Sequence, residues 1–223
     1  MIEARNRHFL GAAVLGALIG SKLVFVATYP ALILAAFEGD NGWFLAWLSG
    51  DSAPGALLGG RLAVWLTGRE GRAVRVADAL VLPVAAALLV LSLGVFFWAL
   101  RGDGVGGPTG LPWGVDFGDG VARHPVMLYE ALGLLAMVAM IRTMSPGASG
   151  AGERSRLFLL VFCGFSMLIG FLKSPFHLML LAEAIKLRPQ VYAHLMTAEQ
   201  WLCAIVVAAM LTRRLASRVR GAR

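Results

Sequence analysis

The run from Val76 to Leu100 carries no charge after Asp78, and this constrains the chain more than any other feature. A helix that crosses a bilayer needs ~20 mostly apolar residues. Five further runs qualify as candidates. The first, from about Phe9 to Phe37, is interrupted only by Lys22 and carries Tyr29-Pro30 where a bend is expected. The others run from about Pro54 to Thr67 (short, and carrying Arg61), Pro125 to Ile141, Leu157 to Leu172, and Ala198 to Leu211. Composition agrees, with 58% apolar and 15% charged residues, against roughly half and a quarter in soluble chains. Such hydrophobicity excludes disorder, and two cysteines exclude a disulfide scaffold. The expected fold is all-α: one polytopic transmembrane bundle of about six spans over residues 1–223.

Charge places the ends. The opening residues resemble a signal peptide, but the apolar run continues well past any cleavage point and reads as an uncleaved first span. Arg5 and Arg7 precede that span, Arg69, Arg72 and Arg75 lie between spans two and three, and Arg142, Arg154 and Arg156 between four and five. Five more arginines close the chain from Arg213. With six spans all four clusters fall on one side, and the positive-inside rule puts both termini in the cytoplasm. The net charge of +7 is accounted for by this asymmetry. Nucleic acid is not an expected partner, because the basic residues lack the interleaved aromatics of a stacking groove. Outer loops are expected at about 38–53, 101–124 and 174–197, with Trp43 and Trp47 forming either an interfacial helix or a re-entrant piece. The SPGASGAGERS stretch reads as a cytoplasmic linker. Cys163 and Cys203 lie in apolar runs as small hydrophobes, and no metal-ligand spacing is present.

Two short segments echo each other. Gly16-Ala-Leu-Ile-Gly20-Ser-Lys22-Leu and Gly55-Ala-Leu-Leu-Gly59-Gly-Arg61-Leu share a glycine spacing that lets helix backbones approach closely. Packing explains the glycines but not the cations. Lys22 and Arg61 inside apolar spans are costly, and either snorkel to an interface or face a cavity, a partner or an anion.

A second concentration of polar groups runs from Leu111 to Ala131, LPWGVDFGDGVARHPVMLYEA. Pro125 suits a first helical turn, so His124 stands at a helix start, with Tyr129 and Glu130 more than one turn further on. They are either solvated anchors or, with Arg123, a polar mouth over a lipid-facing cavity. Lys173 and Glu199-Gln200 reach the same face by topology, whereas Asp78 and Arg75 lie opposite and are expected to cap span three. His177 and His194 are expected to be solvent-exposed. HExxH, P-loop and GxSxG patterns are all missing from the sequence.

These residues resemble the prolipoprotein diacylglyceryl transferase family. Gly107-Pro-Thr-Gly-Leu-Pro-Trp-Gly-Val115 is similar to the family's G-x-P-T-x-L-P-W-G-V loop, and His124-Pro-Val-Met-Leu-Tyr-Glu130 to its H-P-x-x-L-Y-E helix start. Gly20-Ser-Lys22-Leu resembles G-A-R-L, and Gly55 to Gly60 resembles G-G-L-I-G-G. Gly170-Phe-Leu-Lys173 and Ala198-Glu-Gln200 resemble the closing elements, in the same order along the chain. The chain departs from the pattern as well. Pro54 stands for the family's histidine, Ser92 and Val95 for an arginine and an asparagine, and Met167 and Gly170 for an arginine and a glutamate.

The resemblance implies a multi-pass enzyme of the bacterial inner membrane. It would move a diacylglyceryl group from phosphatidylglycerol to the lipobox cysteine of a lipoprotein precursor, without metal or cofactor. Carried over, it implies catalytic roles for His124, Tyr129 and Glu130, and phospholipid or phosphate contacts for Lys22, Arg61, Arg123 and Lys173. The departures leave a second expectation standing, a non-catalytic lipid-binding or partner-binding membrane subunit on the same scaffold.

Overall fold

The computed structural model describes residues 2–28, 51–67, 70–100, 106–118, 120–144, 150–173 and 196–221. Tyr29-Pro30, Trp43, Trp47, His177 and His194 lie outside the described residues.

Six helices carry the described chain: α1 Ile2–Thr28, α2 Ala53–Thr67, α3 Glu70–Ala99, α4 Val126–Thr143, α5 Glu153–Gly170 and α6 Ala198–Gly221. α2 to α6 each match one of the apolar runs, α1 covers the first run as far as Thr28, and α1, α3 and α6 extend into the basic clusters that flank them. Among the described residues three helices are long and apolar enough to cross a membrane, at His8–Thr28, Val74–Ala99 and Val126–Thr143. The 15 residues of α2 rise only ~22 Å, which falls short of the ~30 Å hydrocarbon core. Pro83 sits inside α3, a position that helices in lipid tolerate when neighbouring groups take up the freed carbonyl.

The echoed glycines form the seam between α1 and α2. A Cβ on Gly20 would meet the Gly55 carbonyl and lie 2.8 Å from Gly59 Cα; one on Gly59 would meet the Gly16 carbonyl and lie 2.9 Å from Gly20 Cα. Gly16 thus faces Gly59 and Gly20 faces Gly55, so the two helices run antiparallel at backbone contact. A core of Val81, Ala85, Leu134, Met137, Ile141, Phe158 and Phe162 joins α3, α4 and α5. Cys163 and Cys203, both fully buried, pack α5 on α6 as small hydrophobes. The outer faces are apolar on every helix, with Leu15, Leu23, Leu66, Val90, Phe97, Leu132 and Ile205 all exposed. Side chains of this kind are stable facing hydrocarbon rather than water.

The polar segment before α4 is ordered. Val115–Asp116 (β1) pairs antiparallel with Ala122–Arg123 (β2), with Val115 opposite Arg123. Asp116 Oδ1 accepts from the Gly118 and Gly120 amides at 2.8 and 3.0 Å, and both glycines take positive φ, which closes the turn. Phe117 is buried with Ala99, Val126, Met127 and Ile169, so the hairpin is pinned to the same ends of α3, α4 and α5.

Asp78 was expected to cap α3. Its carboxylate instead accepts from the Gly152 amide at 2.6 Å and the Ser155 amide at 2.9 Å, which caps α5 across the bundle. The reason is topological: α3 and α5 begin at the same end, and Gly152 at φ 86° turns the chain so that its amide faces α3.

Candidate functional site

The polar groups gather where α4 begins, α5 ends and the hairpin packs. Backbone pairing builds the platform. The Gly107 amide donates to the Leu172 carbonyl at 2.9 Å and the His124 amide to the Gly107 carbonyl at 3.0 Å, with bridges between Gly106 and Lys173 and between Pro108 and Arg123. Residues 106–108 are therefore a strap between the end of α5 and the start of α4. A side chain on Gly106 would run into the His124 carbonyl, so this close approach requires glycine.

On that platform the sequence-selected residues make specific contacts. His124 Nδ1 lies 3.4 Å from Tyr129 Oη, with the two rings edge to face at 6.1 Å between centroids. Glu130 pairs with Lys173 at 3.2 Å, both groups partly exposed. Arg123 Nη1 donates to the Gly106 carbonyl at 3.4 Å. Trp113 joins them, its Nε1–H donating to Tyr129 Oη at 2.9 Å.

A second polar group adjoins the first through α6. Lys22 Nζ is 3.0 Å from Asp51 Oδ1, and Ser21 Oγ donates to the same oxygen at 3.1 Å. The Ser52 amide donates to Ser21 Oγ at 3.0 Å, and Ser52 Oγ accepts from the Gly55 amide at 3.2 Å as the N-cap of α2. Half-buried Glu199 stands beside the Ser52 hydroxyl and within the fields of Lys173 and Glu130, linking the two halves. Lys22, Glu130 and Lys173 thus share one end of the bundle with His124 and Arg123.

Arg61 does not join them. Its Nη1 donates to Ser155 Oγ at 3.0 Å, near the Asp78 cap and at the opposite end of α5. The 18 residues of α5 rise ~27 Å, so Arg61 and Lys173 lie at opposite faces of the bundle. The sequence echo misleads here for a simple reason. Antiparallel packing of two like motifs sends the cation that follows each one toward opposite ends.

The positions that depart from the family pattern differ in setting, and Val95 is exposed on α3. Pro54 is fully buried at the start of α2 and Ser92 is buried on α3. The Gln200 side chain lies 2.7 Å from where a Gly170 Cβ would stand, and its Nε2 donates to the Met167 carbonyl at 3.1 Å. Sequence reasoning missed Trp113 and Asp51. The first stands inside the Gly107–Val115 motif with no polar partner adjacent in sequence, and the second is far in sequence from the Lys22 it pairs with. No group of three or more metal-ligating side chains occurs among the described residues.

Compared with known families, residues 3–214 match prolipoprotein diacylglyceryl transferase. The chain belongs to that family. Similar proteins include the phosphatidylglycerol–prolipoprotein diacylglyceryl transferases of Bordetella parapertussis, 33% identical over 73% of this chain and 63% of that protein, and of Nitratidesulfovibrio vulgaris, 31% identical over 73% of this chain and 62% of that one. The Chlamydia trachomatis protein of the same name is 27% identical over 70% of this chain and 62% of its own. The chain therefore spans less than two thirds of the length of these relatives. No solved structure matches it.

Proposed function

We propose that the chain transfers a diacylglyceryl group from phosphatidylglycerol to the thiol of a lipoprotein-precursor cysteine. It would do so as a single six-span domain of the bacterial inner membrane, with both termini cytoplasmic. The observation that carries the reading is the convergence of His124, Tyr129, Arg123, Glu130 and Lys173 at one end of an apolar bundle, in a chain that matches the family from residue 3 to 214.

The reaction forms a bond from sulfur to the terminal glycerol carbon and breaks the bond from that carbon to the phosphate oxygen. The bonding pair leaves with glycerol phosphate. The thiol proton needs an acceptor, and the His124 imidazole, 3.4 Å from Tyr129 Oη at the start of α4, is the group that takes it. Charge growing on the departing phosphate needs cations already in position, and Lys22, Lys173 and Arg123 supply them. Asp51 and Glu130 hold the two lysines in place before lipid arrives. Arg61, hydrogen-bonded to Ser155, is too far away for the reacting phosphate, and a lipid contact for it would belong to the other leaflet.

The test is complementation of a bacterium depleted of its own diacylglyceryl transferase. Rescue by the chain, and loss of rescue with His124→Ala at equal membrane abundance, is the expected result. The presence of Pro54, Met167 and Gly170 where the family pattern carries a histidine, an arginine and a glutamate supports a second reading, a non-catalytic lipid-binding subunit. That reading predicts phosphatidylglycerol binding by folded protein with no rescue.

A further inference from the structure

Trp113 is more than half exposed, yet its one polar atom is committed to Tyr129 rather than to solvent. The turn that presents it is stiff. Leu111 and Gly114 close it through a 2.9 Å backbone bond, and the Leu111 amide reaches Thr109 Oγ1 at 3.2 Å. A Cβ on Gly114 would lie 2.9 Å from the Thr109 methyl and 3.1 Å from the Ala122 Cβ, so the turn sits hard against the hairpin. At an exposed site water would satisfy the indole equally well, and such a bond adds little net stability. What it does is restrict direction.

An indole N–H donates only, whereas a tyrosine hydroxyl holds one proton and two acceptor pairs. With Trp113 donating at 2.9 Å, one acceptor pair of Tyr129 Oη is filled and its own proton must point elsewhere. The nearest polar atom recorded for it is His124 Nδ1 at 3.4 Å. We infer that Trp113 is a positioning residue that acts through Tyr129 to aim the hydroxyl proton at His124 Nδ1 and hold the ring with its proton on Nε2.

This rests on the transfer reading above and refines it. The thiol proton passes to Tyr129 Oη as the hydroxyl proton passes to Nδ1. The products are a thiolate, an unchanged tyrosine and an imidazolium, so one proton has moved from sulfur to His124. Trp113, by donating to Oη, also stabilises the charge that gathers on that oxygen midway.

The experiment uses the full chain in phosphatidylglycerol vesicles with a lipobox peptide, comparing wild type, Trp113→Phe, Tyr129→Phe and the double variant. Trp113→Phe is expected to lower kcat on the order of tenfold, less than the 10²–10⁴ that a whole acid–base group contributes. KM and folded yield should be unchanged, and the double variant should equal Tyr129→Phe alone. Losses that multiply in the double variant, or a raised KM at unchanged kcat, would overturn the inference, since either means that the ring packs or contacts lipid on its own account. A second readout needs no turnover. In ¹⁵N-histidine-labelled protein, with the His124 signal assigned by His124→Ala, wild type should show the Nε2–H tautomer and Trp113→Phe a mixture. The same tautomer in both overturns the inference. A tautomer shift in a chain that never transfers lipid overturns the transfer reading alone.

Discussion

Replacing Asp78 with alanine tests the architecture at the end of the bundle remote from the polar cluster. One carboxylate there serves two backbone donors, the Gly152 amide at 2.6 Å and the Ser155 amide at 2.9 Å. Loss of an N-cap side chain costs about 0.5–2 kcal/mol, and hydrogen bonds to a charged group run at about 1.5–3 kcal/mol. Two bonds to a half-buried carboxylate therefore put Asp78→Ala at about 2–3 kcal/mol. Arg61 also loses the opposite charge that balances nearby Arg156. Asp78→Asn keeps one acceptor and should cost roughly half as much. Unfolding by graded sodium dodecyl sulfate in mixed micelles, followed by far-ultraviolet circular dichroism, measures both. Lipid-linked activity per folded molecule should not change, because the cap lies ~27 Å of helix from Lys173. A cost for Asp78→Ala within the about 0.5 kcal/mol typical of surface substitutions would refute the capping argument.

At the glycine seam, Gly59→Ala should cost about 1–3 kcal/mol by overpacking, read by the same unfolding assay. Gly11→Ala, where a Cβ meets nothing within 4 Å, should be neutral or slightly stabilising. Lys22→Met should weaken phosphatidylglycerol binding more than it lowers folded yield, and Glu130→Gln should impair transfer by releasing Lys173, both measured in nanodiscs of defined lipid. For topology, cysteines at exposed Leu111 and Ala151 should label from opposite sides of the membrane.

The helices were legible because sequence states apolar runs directly, and among the described residues three of them meet the length and apolarity that hydrocarbon demands. The α1–α2 seam was legible for the same kind of reason: glycines repeated at every fourth position have few other uses. The hairpin was not, because two-residue strands leave no alternation to read and Asp116 closes its turn through backbone bonds. Partner choice was the harder part. Asp78 and Ser155 are far apart in sequence, as are Lys22 and Asp51, and each pairing depends on helix direction rather than on local pattern. His124, Tyr129 and Glu130 stand out in the sequence by their density at a helix start. The link from Trp113 to Tyr129 was hidden because an exposed tryptophan near a membrane face is ordinarily an interfacial anchor.

The most direct measurement is transfer itself. The full chain, purified and reconstituted with phosphatidylglycerol labelled in its acyl chains, is given a peptide bearing a lipobox cysteine. Mass spectrometry should find the peptide heavier by one diacylglyceryl group, with glycerol phosphate released in equal amount. His124→Ala should abolish the product without loss of folded protein. Folded wild-type protein that binds phosphatidylglycerol yet leaves the peptide unmodified would contradict the proposed activity.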